Sequence, residues 1–87
     1  SSFDLQQNYP NPFNPETKIR FSVASQGLVE LKIFDINGKE IAVPFKSQLR
    51  PGVYEYSWNA SNFPSGVYLY KISSGKFSLT KKMVLVK

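Results

Sequence analysis

Cysteine and histidine are both missing from these 87 residues. Without cysteine there is no disulfide framework and no thiolate metal site, although that absence does not assign a compartment. Without histidine the chain lacks the commonest general base, the commonest metal ligand and any histidine-activated nucleophile. Glycine is sparse, and Gly52, Gly66 and Gly75 all fall where turns are expected, so no phosphate-cradling loop is present. No apolar run approaches the roughly 20 residues that span a bilayer, and no transmembrane segment is expected. The opening Ser1-Ser2-Phe3-Asp4 has neither a basic region nor an apolar stretch. A signal peptide, if the parent protein is exported, is therefore expected upstream. The length points to a single domain over residues 1–87, long enough to bury one core without covalent staples.

Chemistry is equally thin among the residues that are present. The carboxylates are scattered singly, with no pair spaced for acid–base work. Asp35, Asn37 and Glu40 loosely resemble a calcium loop, but Asp-Ile-Asn-Gly lacks that pattern's third ligand and distant glutamate. No Gly-x-Ser-x-Gly elbow occurs, and Ser78 with Lys81 sits in a strand pattern with no supporting context for a Ser–Lys dyad. The expectation is a domain with no catalysis, no cofactor and no metal.

The net charge of +5 is unevenly placed. Through Tyr70, the basic Lys18, Arg20, Lys32, Lys39, Lys46 and Arg50 are matched by Asp4, Glu16, Glu30, Asp35, Glu40 and Glu55. The whole excess comes from Lys71, Lys76, Lys81, Lys82 and Lys87. Such an end can attract an anionic partner, and lysines also guard strand edges against aggregation. The two readings are compatible.

The hydrophobic pattern has period two throughout. Ile19, Phe21 and Val23 alternate with polar residues, as do Val29, Leu31 and Ile33. Asn37-Gly38 between Asp35-Ile36 and Ile41-Ala42-Val43 predicts a hairpin with a type I′ turn. Pro51-Gly52 marks the next turn, after which Tyr54, Tyr56 and Trp58 share one face. Residues from Asn59 to Gly66 read as a loop, and Val67–Ser73 and Phe77–Val86 read as two long strands around Ser74-Gly75-Lys76. With Phe3–Asn8 as an edge strand, the count is about seven. That number fits an all-β, immunoglobulin-like antiparallel sandwich, with a small Greek-key barrel as the alternative.

Two clusters invite a binding reading. Pro10, Pro12 and Pro15 make a stiff, extended elbow with Phe13 as its apolar anchor, expected to form a buried corner before the Thr17 strand. Asn11 and Asn14 can turn or cap the backbone there. Tyr54, Tyr56, Trp58, Tyr68 and Tyr70 could carry sugars or stack nucleic-acid bases. A small domain without disulfides needs such side chains inside, where each contributes roughly 1.5–3 kcal/mol. The excess charge also lies on the last strand, away from the aromatics, so no nucleic-acid partner is expected.

Four motifs in order carry a family resemblance. Asn11-Pro12-Phe13-Asn14-Pro15 opens the series, with Thr17, Ile19 and Phe21 behind it; Asp35-Ile36-Asn37-Gly38-Lys39 stands in the middle. Pro64-Ser65-Gly66-Val67-Tyr68 and Lys82-Met83-Val84-Leu85-Val86-Lys87 complete it. From about Leu5 to Lys87 the chain resembles the C-terminal sorting domain of proteins exported by the bacterial type IX secretion system. The resemblance implies an immunoglobulin-like domain fused behind a cargo protein and carried to the periplasm by an upstream signal peptide. It also implies recognition by an outer-membrane translocon and removal by a sortase-like peptidase, with cleavage near or before Ser1. Cargo is then secreted or joined to an anionic surface lipopolysaccharide. The immunoglobulin-like domain of flagellar hook-capping proteins shares much of the pattern. Trp58-Asn59-Ala60 stands where that group often has Trp-Asp-Gly, and the loop to Gly66 is short, which favours the sorting domain.

For recognition, the Phe77–Val86 strand is expected to offer unpaired edge groups for strand addition, with charge steering from Lys81, Lys82 and Lys87. Gly66 and Tyr68 would support the strand, and Met83, Val84, Leu85 and Val86 would form it. Deletion of Met83–Lys87 is then expected to stop export while leaving much of the fold; the alternative is that the last strand is structural, since a missing strand uncovers the core.

Overall fold

A computed structural model describes residues 2–87. Seven strands are present: β1 (Asp4–Leu5), β2 (Glu16–Val23), β3 (Gly27–Asp35), β4 (Glu40–Leu49), β5 (Gly52–Asn59), β6 (Gly66–Ser74) and β7 (Phe77–Leu85). They form two antiparallel sheets, ordered β1-β2-β5 and β4-β3-β6-β7. This is the immunoglobulin-like sandwich expected from the alternation, with β4 beside β3.

The period-two residues make the core. Thr17, Ile19, Phe21 and Val23 of β2 face Val29, Leu31 and Ile33 of β3 and Tyr68, Tyr70 and Ile72 of β6, all buried. Met83 and Leu85 complete the β7 side. One end is closed by aromatic rings: Trp58 lies 6.0 Å from Phe13, 5.6 Å from Phe63 and 6.4 Å from Tyr68 between centroids. Such tilted and edge-on contacts add to the area that each ring removes from water.

The turns obey their glycines, with one correction. Gly38 has φ of 85°, but no described residue other than glycine has a positive φ, so Asn37 cannot complete a type I′ turn. Instead the Gly38 N–H donates to the Asp35 C=O and the Asp35 N–H to the Lys39 C=O. This is a three-residue loop in which a type I turn is followed by a left-handed glycine. Asp35 explains the choice: its Oδ1 accepts from the Asn37 and Lys39 N–H groups, both at 2.9 Å, holding Asn37 in the ordinary right-handed region. Between β6 and β7 the loop is Gly75-Lys76, with φ of 58° at Gly75 as the first position of a type II′ turn requires.

Other bounds move slightly. Phe3–Asn8 contributes only the two-residue β1, with Tyr9 bridging to Lys18 further on. Asn59 and Gly66 belong to strands, which leaves residues 60–65 as the loop. Phe13 is buried as expected, whereas Pro10, Asn11 and Pro12 around it are exposed. The Tyr9–Pro10, Asn11–Pro12 and Asn14–Pro15 bonds are cis.

Candidate recognition surface at the last strand

The proline segment and the last strand form one unit. The chain leaves β1 beside β2 and crosses to the other sheet, where Phe13 meets Leu85 in a parallel bridge. The Phe13 N–H donates to the Val84 C=O and the Val86 N–H donates to the Phe13 C=O, both at 2.9 Å. Asn11 Oδ1 accepts from the Val84 N–H, and Gln7 Nε2 donates to the Lys82 C=O at 2.7 Å. β7 is therefore an edge strand whose far half, from the Lys82 C=O to the Val86 N–H, is bonded from within. The expectation of free backbone groups along all of Phe77–Val86 is corrected: only the near half, around Ser78 and Thr80, lies beyond this strap.

A buried polar knot holds the strap. Tyr70, fully buried, accepts from the Asn8 N–H at 2.8 Å and donates to the Gln6 C=O at 2.7 Å. Asn8 Nδ2 donates to Thr17 Oγ1 at 2.9 Å and to the Pro10 C=O at 3.2 Å. The Thr17 hydroxyl donates to the same carbonyl at 2.9 Å. Asn8 and Thr17 are the only buried polar side chains of their kind among the described residues, and both serve this turn. The alternation placed Tyr70 and Thr17 inside, but gave no sign that they would meet Asn8. Their partners are the backbone of a segment with no strand pattern of its own.

Burial raises the Tyr70 pKa from the ordinary 10.0 up to about 12, against a smaller lowering by the Asn8 hydrogen bond. The folded state therefore holds the Tyr70 proton where the unfolded chain releases it. Its contribution is fully present below pH 10 and lost as pH rises towards 12. Tyr70→Phe should cost about 1–3 kcal/mol at neutral pH, because the buried Asn8 N–H and the partly buried Gln6 C=O lose their partner. It should also flatten the decline in stability between pH 10 and 12, as urea melts across that range would show. Burial, and to a lesser degree the charge of Asp35, likewise raises the Tyr68 pKa.

The residues singled out on β7 and β6 divide by face. Met83, Leu85 and Tyr68 are core residues, 0%, 1% and 5% exposed, and bear on recognition only by placing the strand. Tyr68 also donates to the Pro64 C=O at 2.5 Å and so fixes the β5–β6 loop. Gly66 opens β6 opposite Leu85, and Val84, opposite Val67, is half-buried on the outer face. Lys81 and Lys82, being successive, point to opposite faces of the sheet. Lys82 is exposed and Lys81 half-buried. Val86 is exposed beyond the strand end. Lys87 is tethered: its Nζ donates to the Ser61 C=O and its N–H to Ser65 Oγ. The ion pairs among the described residues are Lys18–Glu55, Arg20–Glu55 and Lys32–Glu40, so none uses the five terminal lysines.

The aromatic platform dissolves in the same way. Trp58, Tyr68 and Tyr70 are buried and Tyr54 and Tyr56 half-buried, so no exposed row is left for sugars or bases. Asp35 and Asn37 belong to the hairpin turn, and no acidic cluster able to hold a metal is found among the described residues. Among the described residues no helix is long and apolar enough to cross a membrane.

Comparison with known proteins agrees with the motif order. Residues 7–87 match the family described as the secretion system C-terminal sorting domain. No curated protein matches the chain. The match runs from the glutamine that grips β7 to the end of the lysine-bearing strand, taking in strap, hairpin and both sheets. The chain belongs to the type IX secretion C-terminal sorting domain family, and its function is to direct a fused cargo protein through that secretion system to the cell surface or medium.

Proposed function

We propose that an outer-membrane translocon reads the domain from the periplasmic side, after the cargo has crossed the inner membrane. A sortase-like peptidase then removes the domain. The domain has no catalytic step of its own and acts by being recognised. The observation that carries the reading is the family match over residues 7–87. It is supported by five lysines, Lys71 to Lys87, that the fold leaves without ion-pair partners among the described residues. Lysines neutralised within the domain would have nothing to offer an acidic receptor. Lys82 and Val86, exposed near the strap, are the outward groups of this surface, and Lys81 and Lys87 flank it.

The test is export of a signal-peptide-bearing fluorescent protein fused to residues 1–87, in a host with an active type IX system and in its translocon mutant. Fluorescence outside wild-type cells, but held in the periplasm of the mutant, is the expected result. Equal retention in both hosts, with the domain folded, would sink the translocon reading. Appearance of uncleaved fusion outside wild-type cells would remove the peptidase. Turnover of peptide or ester substrates by the purified domain would contradict a purely recognised role. In the same assay, combined Lys81→Glu, Lys82→Glu and Lys87→Glu should lower the export rate about tenfold or more through lost charge steering. The exposed Lys82 and Lys87 should add little to any shift of the melting midpoint, since exposed substitutions typically change stability by about 0.5 kcal/mol or less, and the half-buried Lys81 should account for most of what shift there is.

A further inference from the structure

The two outer faces of the sandwich are built differently. On the three-stranded sheet, Lys18 and Arg20 stand among Asp4, Glu16 and Glu55, and Arg20 lies directly opposite Glu55. Both cations reach Glu55, at 3.9 and 3.2 Å. The apolar side chain that β2 and β5 turn outward is Val53 alone. That face is polar, slightly acidic and paired within itself. The four-stranded sheet turns out Lys32, Lys46, Lys71 and Lys82 against Glu30 and Glu40. Lys46 stands opposite Glu30, and Lys32 lies 3.5 Å from Glu40. Lys71 and Lys82 have no carboxylate partner among the described residues.

The register makes this arrangement more than an excess of charge. Lys71 of β6 lies directly opposite Lys32 of β3. Like charges at such positions, whose Cβ atoms are about 4.5–5.5 Å apart, destabilise a sheet. Beside them runs an apolar patch. Phe34 lies opposite Leu69, and Val67 opposite Val84. All four alternate with buried residues, so they face outward, and all four are half-buried. Lys82 is the next neighbour of Leu69 across the ladder, and Lys71 follows Leu69 by two residues along β6. The two unpaired lysines therefore border the patch. Apolar patches rimmed by polar groups mark interaction sites.

We propose that the outer face of β3, β6 and β7 docks an amphipathic helix of a partner protein, acidic along one flank. Its apolar stripe covers Phe34, Val67, Leu69 and Val84, as helices cover apolar sheet faces, and its carboxylates lie against Lys71 and Lys82. A carboxylate set between Lys32 and Lys71 relieves their repulsion, which no group among the described residues does for Lys71. A bare polyanion would use the lysines and leave the patch uncovered. A lipid surface is a poorer occupant, because the four apolar side chains are half sunk in the sheet and offer little to insert. A second copy of the chain would bring two faces of like charge together. The proposal rests on the reading of the domain as one recognised by an acidic receptor, and names the face and the receptor element.

The test is titration of the isotope-labelled domain, followed by NMR, with a capped synthetic peptide of about 14 residues that places leucines at helical spacing and glutamates beside them. Amide shifts should concentrate at Lys32, Phe34, Leu69, Lys71, Lys82 and Val84. Lys71→Glu combined with Lys82→Glu should weaken binding at least about tenfold, and Leu69→Gln should do the same. Should Leu69→Gln fail to fold, the lysine pair carries the test. Lys18→Glu with Arg20→Glu makes the same charge change on the far face, beyond a sandwich about 10 Å thick. It should alter binding by no more than about twofold at about 0.15 M salt. Lys71→Glu alone should leave the melting midpoint unchanged or higher, because it places opposite charges across the ladder. A clear fall would show that Lys71 serves the fold, and would overturn the proposal. So would equal binding of a scrambled peptide of the same composition, shifts on the far face, no shifts at all, or preference for anionic phospholipid vesicles. Export separates this proposal from the reading it rests on. Translocon-dependent export of a domain that shows no such shifts keeps the reading and removes this face, whereas shifts here in a domain that is not exported do the reverse.

Discussion

Deletion of Met83–Lys87 should leave a chain with no cooperative unfolding transition. Met83 and Leu85 are fully buried, and loss of each large core side chain costs about 2–5 kcal/mol. The same deletion removes the Val84 and Val86 groups that bond to Asn11 and Phe13, so the strap loses its seat. Together these losses approach the roughly 5–15 kcal/mol that holds a domain folded. Thermal melts by circular dichroism and the dispersion of proton NMR signals would report it. A truncated chain that still melts cooperatively near the full-length midpoint would show that β7 is dispensable. Of the two readings of the last strand, the burial of Met83 and Leu85 favours the one in which the strand is structural. The physical reason is that alternate residues of the last strand form one wall of the core. Loss of export after truncation reports loss of the fold as much as loss of a signal, and only the surface lysines separate the two.

Phe13→Ala should be nearly as damaging, at about 3–5 kcal/mol, with the melting midpoint lowered by about 15–30 °C. Phe13 is 2% exposed, packs 6.0 Å from Trp58, and lies between the two backbone bonds that tie the strap to β7. Without the ring those bonds remain chemically available but are no longer held in place. Amide exchange at Phe13 and Val86 should then rise out of proportion to the global loss. Tyr9, 80% exposed in the same segment, is the internal control: Tyr9→Ala should change stability by about 0.5 kcal/mol or less. If Phe13→Ala proved as mild as Tyr9→Ala, the strap would be decoration on β7 and the strand edge would be open after all.

Much of the molecule was legible in the chain. Ile19, Phe21 and Val23, then Val29, Leu31 and Ile33, announce their buried faces by alternation alone, because a pleated strand turns every second side chain inward. The order of the four motifs marked the family, and the match over residues 7–87 bears that out. The hairpin at Asp35–Lys39 was placed correctly but with the wrong turn. Asn-Gly statistics do not register that the Asp35 carboxylate can seize two backbone N–H groups and redirect Asn37.

What local pattern could not convey is how the pieces meet across the sandwich. Nothing near Asn8 or Asn11 in sequence shows that they meet groups 62 and 73 residues further along the chain. Asn8 meets the Tyr70 hydroxyl through its N–H, and Asn11 caps Val84. Composition and period determined an all-β domain with a basic last strand, because burial and charge are properties of residues in their local order. Only the tertiary structure decided which strand edges are closed. A backbone hydrogen bond is the same in every sequence, and whether it is free depends on what the fold brings beside it. By that criterion β7 is half sealed by the strap, which its own residues do not show.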